Sequence, residues 1–256
     1  MIEVSFDSVE LRLGSYSVLR NFSFDVPRGQ FVALVGPTGC GKSSVLNLIA
    51  GLLKPSGGSI RTGGRSLQSI NRDAAYMLQQ DALLPWKTVL QNIVLGPLLR
   101  GTPKNEAIAD AQDWIERVGL RGLESRYPAQ LSGGQRKRVG MAQCLINRLP
   151  ILLMDESFSA LDVQTRAIME DKLLELWQEL QATVLFVTHD LEEAIAMADR
   201  VLLFTAGPDA GLKGDYLVQL PRPRNVAEAR FIPGFTEIYE TLWRNLKEEV
   251  MALYAR

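Results

Sequence analysis

The sequence has few cysteines, a single histidine and almost no net charge. Its 256 residues include two cysteines, Cys40 and Cys144, which do not form a Cys-x-x-Cys pair. Two thiols cannot build a disulfide framework, so we expect a reducing compartment. The formal net charge of −1 gives no indication of binding to nucleic acid or to an anionic membrane surface.

Long hydrophobic runs are also missing. The longest candidate, residues 89–99, is interrupted by Gln91, Asn92 and Pro97, and no stretch reaches the roughly 18 uninterrupted apolar residues of a spanning helix. The first ten residues lack the apolar segment of a signal peptide. We therefore expect a chain that does not span a membrane.

Apolar runs typical of buried strands alternate with helical patterns on both sides of a helix-rich stretch. Continuous apolar runs suit strands covered on both faces, as in a parallel sheet. The predicted strands are 2–6, 22–26, 31–35, 59–62, 74–78, 151–154, 183–187 and 201–204. One helical period begins at Lys42 and ends near Gly51, and two others cover 162–181 and 191–199. This order predicts an α/β domain with a helical insertion.

The stretch GPTGCGKS, residues 36–43, lies between a predicted strand and a predicted helix. It fits the pattern G-x-x-x-x-G-K-[ST] in the context that this pattern requires. Glycines let backbone N–H groups form a concave anion site, at which the helix N-terminus also points. Lys42 would bind the β- and γ-phosphates and Ser43 would ligate Mg²⁺, so the pattern predicts nucleotide binding rather than a glycine-rich turn.

Two carboxylates follow the buried run of residues 151–154. Asp155 and Glu156 come where this strand ends, at the sheet edge where ligands bind in such folds. Asp155 would hold Mg²⁺ directly or through water, and Glu156 is placed to polarise an attacking water as general base.

Three further features indicate what kind of nucleotidase this is. In LSGGQ, residues 131–135, Ser132 and two glycines precede a helix and form a second anion-binding site; we expect Ser132 of one copy to meet the nucleotide held by Lys42 of another. His189 follows a strand, which favours a γ-phosphate sensor over a structural histidine. Gln79, at another strand end, could touch Mg²⁺ or water.

With these motifs in this order, the sequence resembles the ATP-binding subunits of ABC transporters, most closely the nitrate/sulfonate/taurine branch of bacterial importers. The resemblance implies a P-loop NTPase of the ABC ATPase type, with a mostly parallel RecA-like core sheet, an N-terminal antiparallel β subdomain and an inserted α-helical subdomain. It divides the chain into 1–86 with 150–220 (core and β subdomain), 87–149 (helical subdomain) and 221–256 (C-terminal helical tail).

The resemblance also implies a head-to-tail dimer of ATP-binding subunits around two ATP and Mg²⁺, located at the cytoplasmic face of the membrane. Hydrolysis would drive a separate permease, served by an extracytoplasmic substrate-binding protein. The catalytic residues would be Glu156, His189 and Gln79, and the metal ligands Ser43, Gln79 and Asp155. The nucleotide contacts would be Gly36, Pro37, Thr38, Gly39, Cys40, Gly41, Lys42, Ser43 and Ser44 from one subunit, and Ser132, Gly133, Gly134, Gln135 and Asp162 from the motifs LSGGQ and SALD.

The sequence departs from the family pattern at two sites. The aromatic residue that usually stacks on adenine is replaced by Leu13, so either Leu13 or the nearby Tyr16 would contact the base. Ser157 stands where the branch usually has proline, although the general base before it is intact.

Two segments of the sequence, and the function itself, allow a second interpretation. Leu83, Leu84, Pro85 and Trp86 would contact the permease or pack in the subdomain core. The apolar spacing of 235–250 predicts a helix packed on its own domain, with a membrane-surface helix as the alternative. A regulatory ATP-binding protein without turnover is the main competing function, and a DNA-repair ATPase is weaker because 80–148 lacks sustained heptads.

Overall fold

Two sheets and eight α-helices form the described part of the chain. The computed structural model describes residues 1–80 and 82–254; Asp81 and the end of the predicted tail, 255–256, lie outside it. The strands are β1 (Ile2–Leu13), β2 (Tyr16–Pro27), β3 (Phe31–Val35), β4 (Gly57–Thr62), β5 (Arg65–Ser66), β6 (Ala74–Met77), β7 (Ile151–Asp155), β8 (Thr183–Val187), β9 (Arg200–Phe204) and β10 (Leu212–Leu217). The helices are α1 (Lys42–Ile49), α2 (Val89–Ile93), α3 (Leu95–Leu99), α4 (Lys104–Arg117), α5 (Gly133–Leu145), α6 (Val163–Leu180), α7 (Leu191–Met197) and α8 (Phe235–Tyr254).

The smaller sheet has the strand order β2-β1-β4-β5, and its pairings are antiparallel. Its two long strands extend well beyond the predicted strands 2–6 and 22–26. Register shifts interrupt the β1–β2 ladder, and Ser8 and Asn21 have left-handed backbone. Because such irregularities break the two-residue alternation of buried side chains, the pattern in the sequence did not reveal these strands in full.

The larger sheet has the strand order β10-β9-β3-β8-β7-β6. Strands β9, β3, β8, β7 and β6 run parallel, and β10 pairs antiparallel with β9 at one edge. Every residue of β3 and of β8 is buried, as expected for strands covered on both faces. The mostly parallel core sheet is therefore confirmed, whereas β10 was not predicted because its residues alternate between part-buried and exposed.

The chain between β6 and β7 forms helices α2 to α5. Thr88 and Gln91 cap α2 reciprocally, which satisfies backbone donors at its start. Trp114 on α4 is fully buried in the larger core cluster, which also contains residues of α2 and α5. Helix α5 also contacts β6, which joins this helical layer to the larger sheet.

The C-terminal helix packs against the domain, as the apolar spacing predicted. Phe235 and Leu242 of α8 are buried in the larger core cluster, and α8 contacts α7. Ahead of it, the buried Arg224 donates hydrogen bonds to the carbonyls of Ile195 (3.1 Å) and Ala198 (2.6 Å), which ties the tail to α7. Among residues 1–80 and 82–254, no helix combines the length and the hydropathy needed to cross a bilayer.

Candidate active site

The loop between β3 and α1 needs glycine at several positions, either for its backbone conformation or because it packs closely against β9. Gly39 and Gly41 have positive φ angles of 79° and 99°, which favour glycine. At Gly36 the constraint is space, since an added Cβ would lie 2.8 Å from the Cβ of Phe204 on β9. The two core strands β3 and β9 therefore fix where this loop leaves the sheet.

Lys42 is folded into the loop. Its Nζ donates to the carbonyls of Gly36 (2.8 Å) and Pro37 (2.9 Å) and lies 3.8 Å from Cys40 Sγ. Burial raises the pKa of the Cys40 thiol, while the charge of Lys42 opposes that shift. Lys42 is 7% exposed and its ammonium is bonded to neutral carbonyls, so an anion at this loop would supply the negative partner that a buried charge requires.

Asp155 and Ser43 lie in direct contact, although 112 positions separate them in the chain. Ser43 Oγ donates to Asp155 Oδ1 at 3.0 Å, and the Tyr76 hydroxyl donates to Asp155 Oδ2 at 3.5 Å. Burial raises the pKa of Asp155, and these hydrogen bonds partly oppose the rise. Burial and the neighbouring Asp155 also raise the pKa of Tyr76, so its hydroxyl stays a donor. Sequence reasoning missed Tyr76, although pairing of its strand with β7 could have indicated it.

The structure brings together the three residues predicted to be catalytic. Gln79 Nε2 donates to Glu156 Oε2 at 3.0 Å, and His189 Nδ1 lies 3.9 Å from Glu156 Oε1. Glu156 has left-handed backbone (φ 43°), and its N–H bonds to the Val187 carbonyl at 3.0 Å. Backbone strain of this kind is typical of functional sites. Because β7 and β8 are parallel neighbours, their carboxyl ends place Glu156 and His189 side by side.

Ser157 makes a side-chain hydrogen bond that proline, which has no side-chain donor, could not make. The side chain is fully buried, and its Oγ donates to the Met77 carbonyl at 3.0 Å. Met77 is the last residue of β6, two positions before Gln79. This hydrogen bond joins the end of β7, where Glu156 lies, to the end of β6, where the loop that carries Gln79 begins.

The LSGGQ residues lie on a different element. Ser132 is the N-cap of α5, and its hydroxyl accepts from the Gln135 N–H at 3.2 Å while Gln135 Oε1 accepts from the Ser132 N–H at 2.9 Å. An added Cβ at Gly134 would lie 3.0 Å from Thr165 Cγ2. Within the described residues, no hydrogen bond joins 131–135 to the loop 36–44.

Helices α5 and α6 contribute further connections near the site. Lys137, one turn into α5, donates from Nζ to the Gln79 carbonyl at 2.7 Å, so this helix holds the Gln79 loop. Asp162 caps α6 by accepting from the Thr165 N–H at 3.0 Å. Asp162, at the start of the predicted helical period 162–181, is a residue type typical of an N-cap, whereas no spacing in the sequence indicates the contact of Lys137 with Gln79.

The two adenine candidates pair across the turn of the β1–β2 hairpin. Leu13 lies opposite Tyr16, and each is half exposed. A Cβ added at Gly207 would lie 3.2 Å from the Tyr16 hydroxyl oxygen and 3.5 Å from the Gly39 carbonyl oxygen. Tyr16 therefore stands beside the loop that contains Gly39.

Leu83 and Trp86, between β6 and α2, differ in burial. Leu83 packs against the larger core cluster, whereas Trp86 is 69% exposed. Of the two roles considered for this segment, Leu83 fits the core and Trp86 is available for a partner.

Comparisons with known proteins agree on one family. The model of the ABC transporter family matches residues 19–159. An uncharacterized ABC transporter ATP-binding protein of Methanocaldococcus jannaschii is 42% identical over 233 residues, covering 91% of this chain and 85% of the relative. An aliphatic sulfonates import ATP-binding protein of Pseudomonas aeruginosa is 44% identical over 229 residues, covering 90% of this chain and 80% of the relative.

A solved structure gives the same result for the fold. It is a dimeric, post-hydrolysis state of an ATP-binding cassette bound to ADP and Pi, 28% identical in sequence, with a TM-score of 0.74. The similarity covers 84% of this chain and 99% of that one.

Proposed function

The chain belongs to the ABC transporter family and is an ATPase of that family, and we propose that it acts as one half of a head-to-tail dimer that powers import through a separate permease. The observation that carries the proposal is a division of the site. Lys42, Asp155, Glu156 and His189 surround one half, whereas Ser132 caps another helix and shares no hydrogen bond with that half in the described chain.

The residues near Lys42 suit ATP and Mg²⁺. Lys42 and the backbone N–H groups of residues 36–44 would bind the phosphates. The hydroxyl of Ser43 and the carboxylate of Asp155, already 3.0 Å apart, are the oxygen ligands that Mg²⁺ prefers, and Gln79 would contribute directly or through water. When bound, the metal would neutralise charge on the phosphates.

Glu156 supplies the base for hydrolysis. Its carboxylate would orient and deprotonate the attacking water, while Gln79 and His189, which flank it at 3.0 and 3.9 Å, hold the water and contact the γ-phosphate. Placing these groups before ATP arrives lowers the entropic cost of reaching the transition state.

The second half of each site would come from the partner subunit. Ser132, Gly133, Gly134 and Gln135 would bind the γ-phosphate of the ATP held by the other copy, with Asp162 close to the contact. The exposed N-terminus of α5 is suited to an anion. The similar cassette of known structure is a dimer, which supports this arrangement.

Transport is the purpose we propose for the ATPase cycle. Two relatives, 42% and 44% identical, are named aliphatic sulfonates import proteins, which supports import of small anions of the nitrate, sulfonate or taurine type. The subunit would sit at the cytoplasmic face of the membrane, with Trp86 available to the permease and an extracytoplasmic protein delivering the solute.

Uptake of labelled taurine, an alkanesulfonate and nitrate, compared in cells with and without the gene, tests this class of solute. Unchanged uptake of all three would reject it.

The dimer is tested with a variant that binds ATP without cleaving it. Glu156→Gln removes the base, so with ATP and Mg²⁺ it should elute as a dimer in size-exclusion chromatography. Adding Ser132→Arg should return it to a monomer that still binds a fluorescent ATP analogue. Thr88→Arg, also in the Glu156→Gln background, is the matched control, because Thr88 caps α2 by the same reciprocal hydrogen bonds.

Two results would contradict the proposal. One is a Glu156→Gln variant that stays monomeric at saturating ATP. The other is a Glu156→Gln, Ser132→Arg variant that dimerises as well as its Thr88→Arg counterpart.

A further inference from the structure

Two glutamates are buried behind the segment that carries His189. Glu170 lies on α6 and is 3% exposed, and Glu193 lies on α7 and is 8% exposed. Carboxylates are rarely buried unless a cation or a donor partners them. Neither glutamate has a role in the hydrolysis described above, so their burial requires another explanation.

Thr188 connects Glu193 to the turn around His189. Thr188 Oγ1 donates to Glu193 Oε2 and accepts from the Asp190 N–H at 3.0 Å. Thr188 and Asp190 are the two neighbours of His189 in the chain, so these hydrogen bonds close the backbone around it. The orientation of the His189 ring therefore depends on where Glu193 is held.

Glu170 holds Glu193 from the opposite helix. A hydrogen bond between the two carboxyl groups is among the causes that raise the pKa of Glu170, and the buried Oε1 of Glu170 has no other hydrogen-bond partner among residues 1–80 and 82–254. Two carboxylates in contact repel each other unless one of them carries a proton, which then donates to the other. The contact is stable only in that protonated form.

The surrounding charges favour the same state. Burial, then the hydrogen bond and charge of Glu193, raise the pKa of Glu170 to about 10, and Asp190 adds to the rise. Arg166 is the nearby cation that opposes the shift. Its guanidinium donates from Nη2 to the carbonyls of Ser159 and Leu161 in the loop before α6, both at 3.2 Å, while its buried Nε has no hydrogen-bond partner among residues 1–80 and 82–254.

We propose that Glu170 and Glu193 share one proton and that this hydrogen bond between α6 and α7 positions His189 for hydrolysis. The inference rests on the proposed function, in which His189 contacts the γ-phosphate. Both glutamates are positioning residues, since they reach the nucleotide only through Thr188 and the His189 backbone. Loss of the proton would separate the carboxylates and release the turn around His189.

The test measures ATP hydrolysis by the full chain from about pH 7 to about pH 10.5. Wild-type kcat should fall on the alkaline side, while KM for ATP stays constant. In Glu170→Gln the amide N–H replaces the shared proton permanently, so this variant should keep most of its activity and lack the alkaline fall. In Glu170→Leu the link is lost, and we expect kcat to drop on the order of tenfold at every pH. Glu192→Gln, an exposed neighbour on α7, is the control and should follow the wild type.

Infrared spectroscopy reports on the proton itself. At about pH 8 the wild type and Glu192→Gln should show the C=O absorption of a protonated carboxylic acid, and Glu170→Gln should lack it. A wild type without this band, or a Glu170→Gln variant with the wild-type alkaline fall, would overturn the inference. If Glu170→Leu does not fold, these two measurements still decide whether the two glutamates share a proton. A wild type that has the band but no ATP turnover would instead contradict the proposed function.

Discussion

The hydrogen bond from Ser157 to the Met77 carbonyl predicts a measurable loss of stability when it is removed. Ser157→Ala deletes the hydroxyl, leaving the side chain otherwise almost unchanged in volume. Both residues are buried, so water does not readily replace the lost donor. An unsatisfied buried carbonyl costs about 1–3 kcal/mol of unfolding free energy.

Urea denaturation provides the measurement. With an m-value of about 3 kcal/mol/M, this loss lowers the urea midpoint by roughly 0.3–1 M. Ser66→Ala is the matched control, because Ser66 is exposed on β5 and its removal should change stability by no more than about 0.5 kcal/mol. The reasoning is refuted if Ser157→Ala and Ser66→Ala unfold at the same urea concentration with equal m-values.

Three further predictions follow from single contacts. Tyr76→Phe removes a donor to Asp155 and should raise the Mg²⁺ concentration for half-maximal hydrolysis by up to about tenfold; an unchanged Mg²⁺ titration would show that this hydroxyl has no part in metal binding. The pKa of Glu170 is about 10 in the folded chain and 4.5, its ordinary value, in the unfolded chain. Between these two values only the folded chain keeps the proton, so the free energy of unfolding of the wild type should fall as the pH rises toward about 10. Urea midpoints at several pH values should then show a growing advantage of Glu170→Gln, and a constant difference would contradict this linkage. Gly36→Ala would place a Cβ 2.8 Å from Phe204 Cβ. A fluorescent ATP analogue should therefore bind more weakly, and the free energy of unfolding should fall by about 1–3 kcal/mol. Wild-type values in both assays would mean that the loop can move away at no cost.

The motifs that bind phosphate could be predicted because their chemistry is local. The loop 36–43 needs consecutive glycines, a lysine and a helix start, and these are neighbours in the chain. Asp155, Glu156 and His189 were predicted for a related reason: each follows a continuous apolar strand, and parallel strands end at one edge of a sheet.

The full length of the first two strands could not be predicted in the same way. The bulges near Ser8 and Asn21 interrupt the alternation of buried and exposed side chains. The edge strand β10 was missed because its residues are only part-buried or exposed. In both cases pairing with another strand, rather than a local pattern, stabilises the element.

The sequence by itself determined the class of fold, the family and the residue types of the catalytic site, since these depend on short motifs and on the hydrophobic character of single segments. Only the tertiary structure decided which distant groups meet: Gln79 with Glu156, Ser157 with Met77 and Glu170 with Glu193. Such contacts depend on the order of strands in a sheet and on the packing of one helix against another. No spacing along the chain encodes them, because the free energy that forms them comes from burying whole elements together.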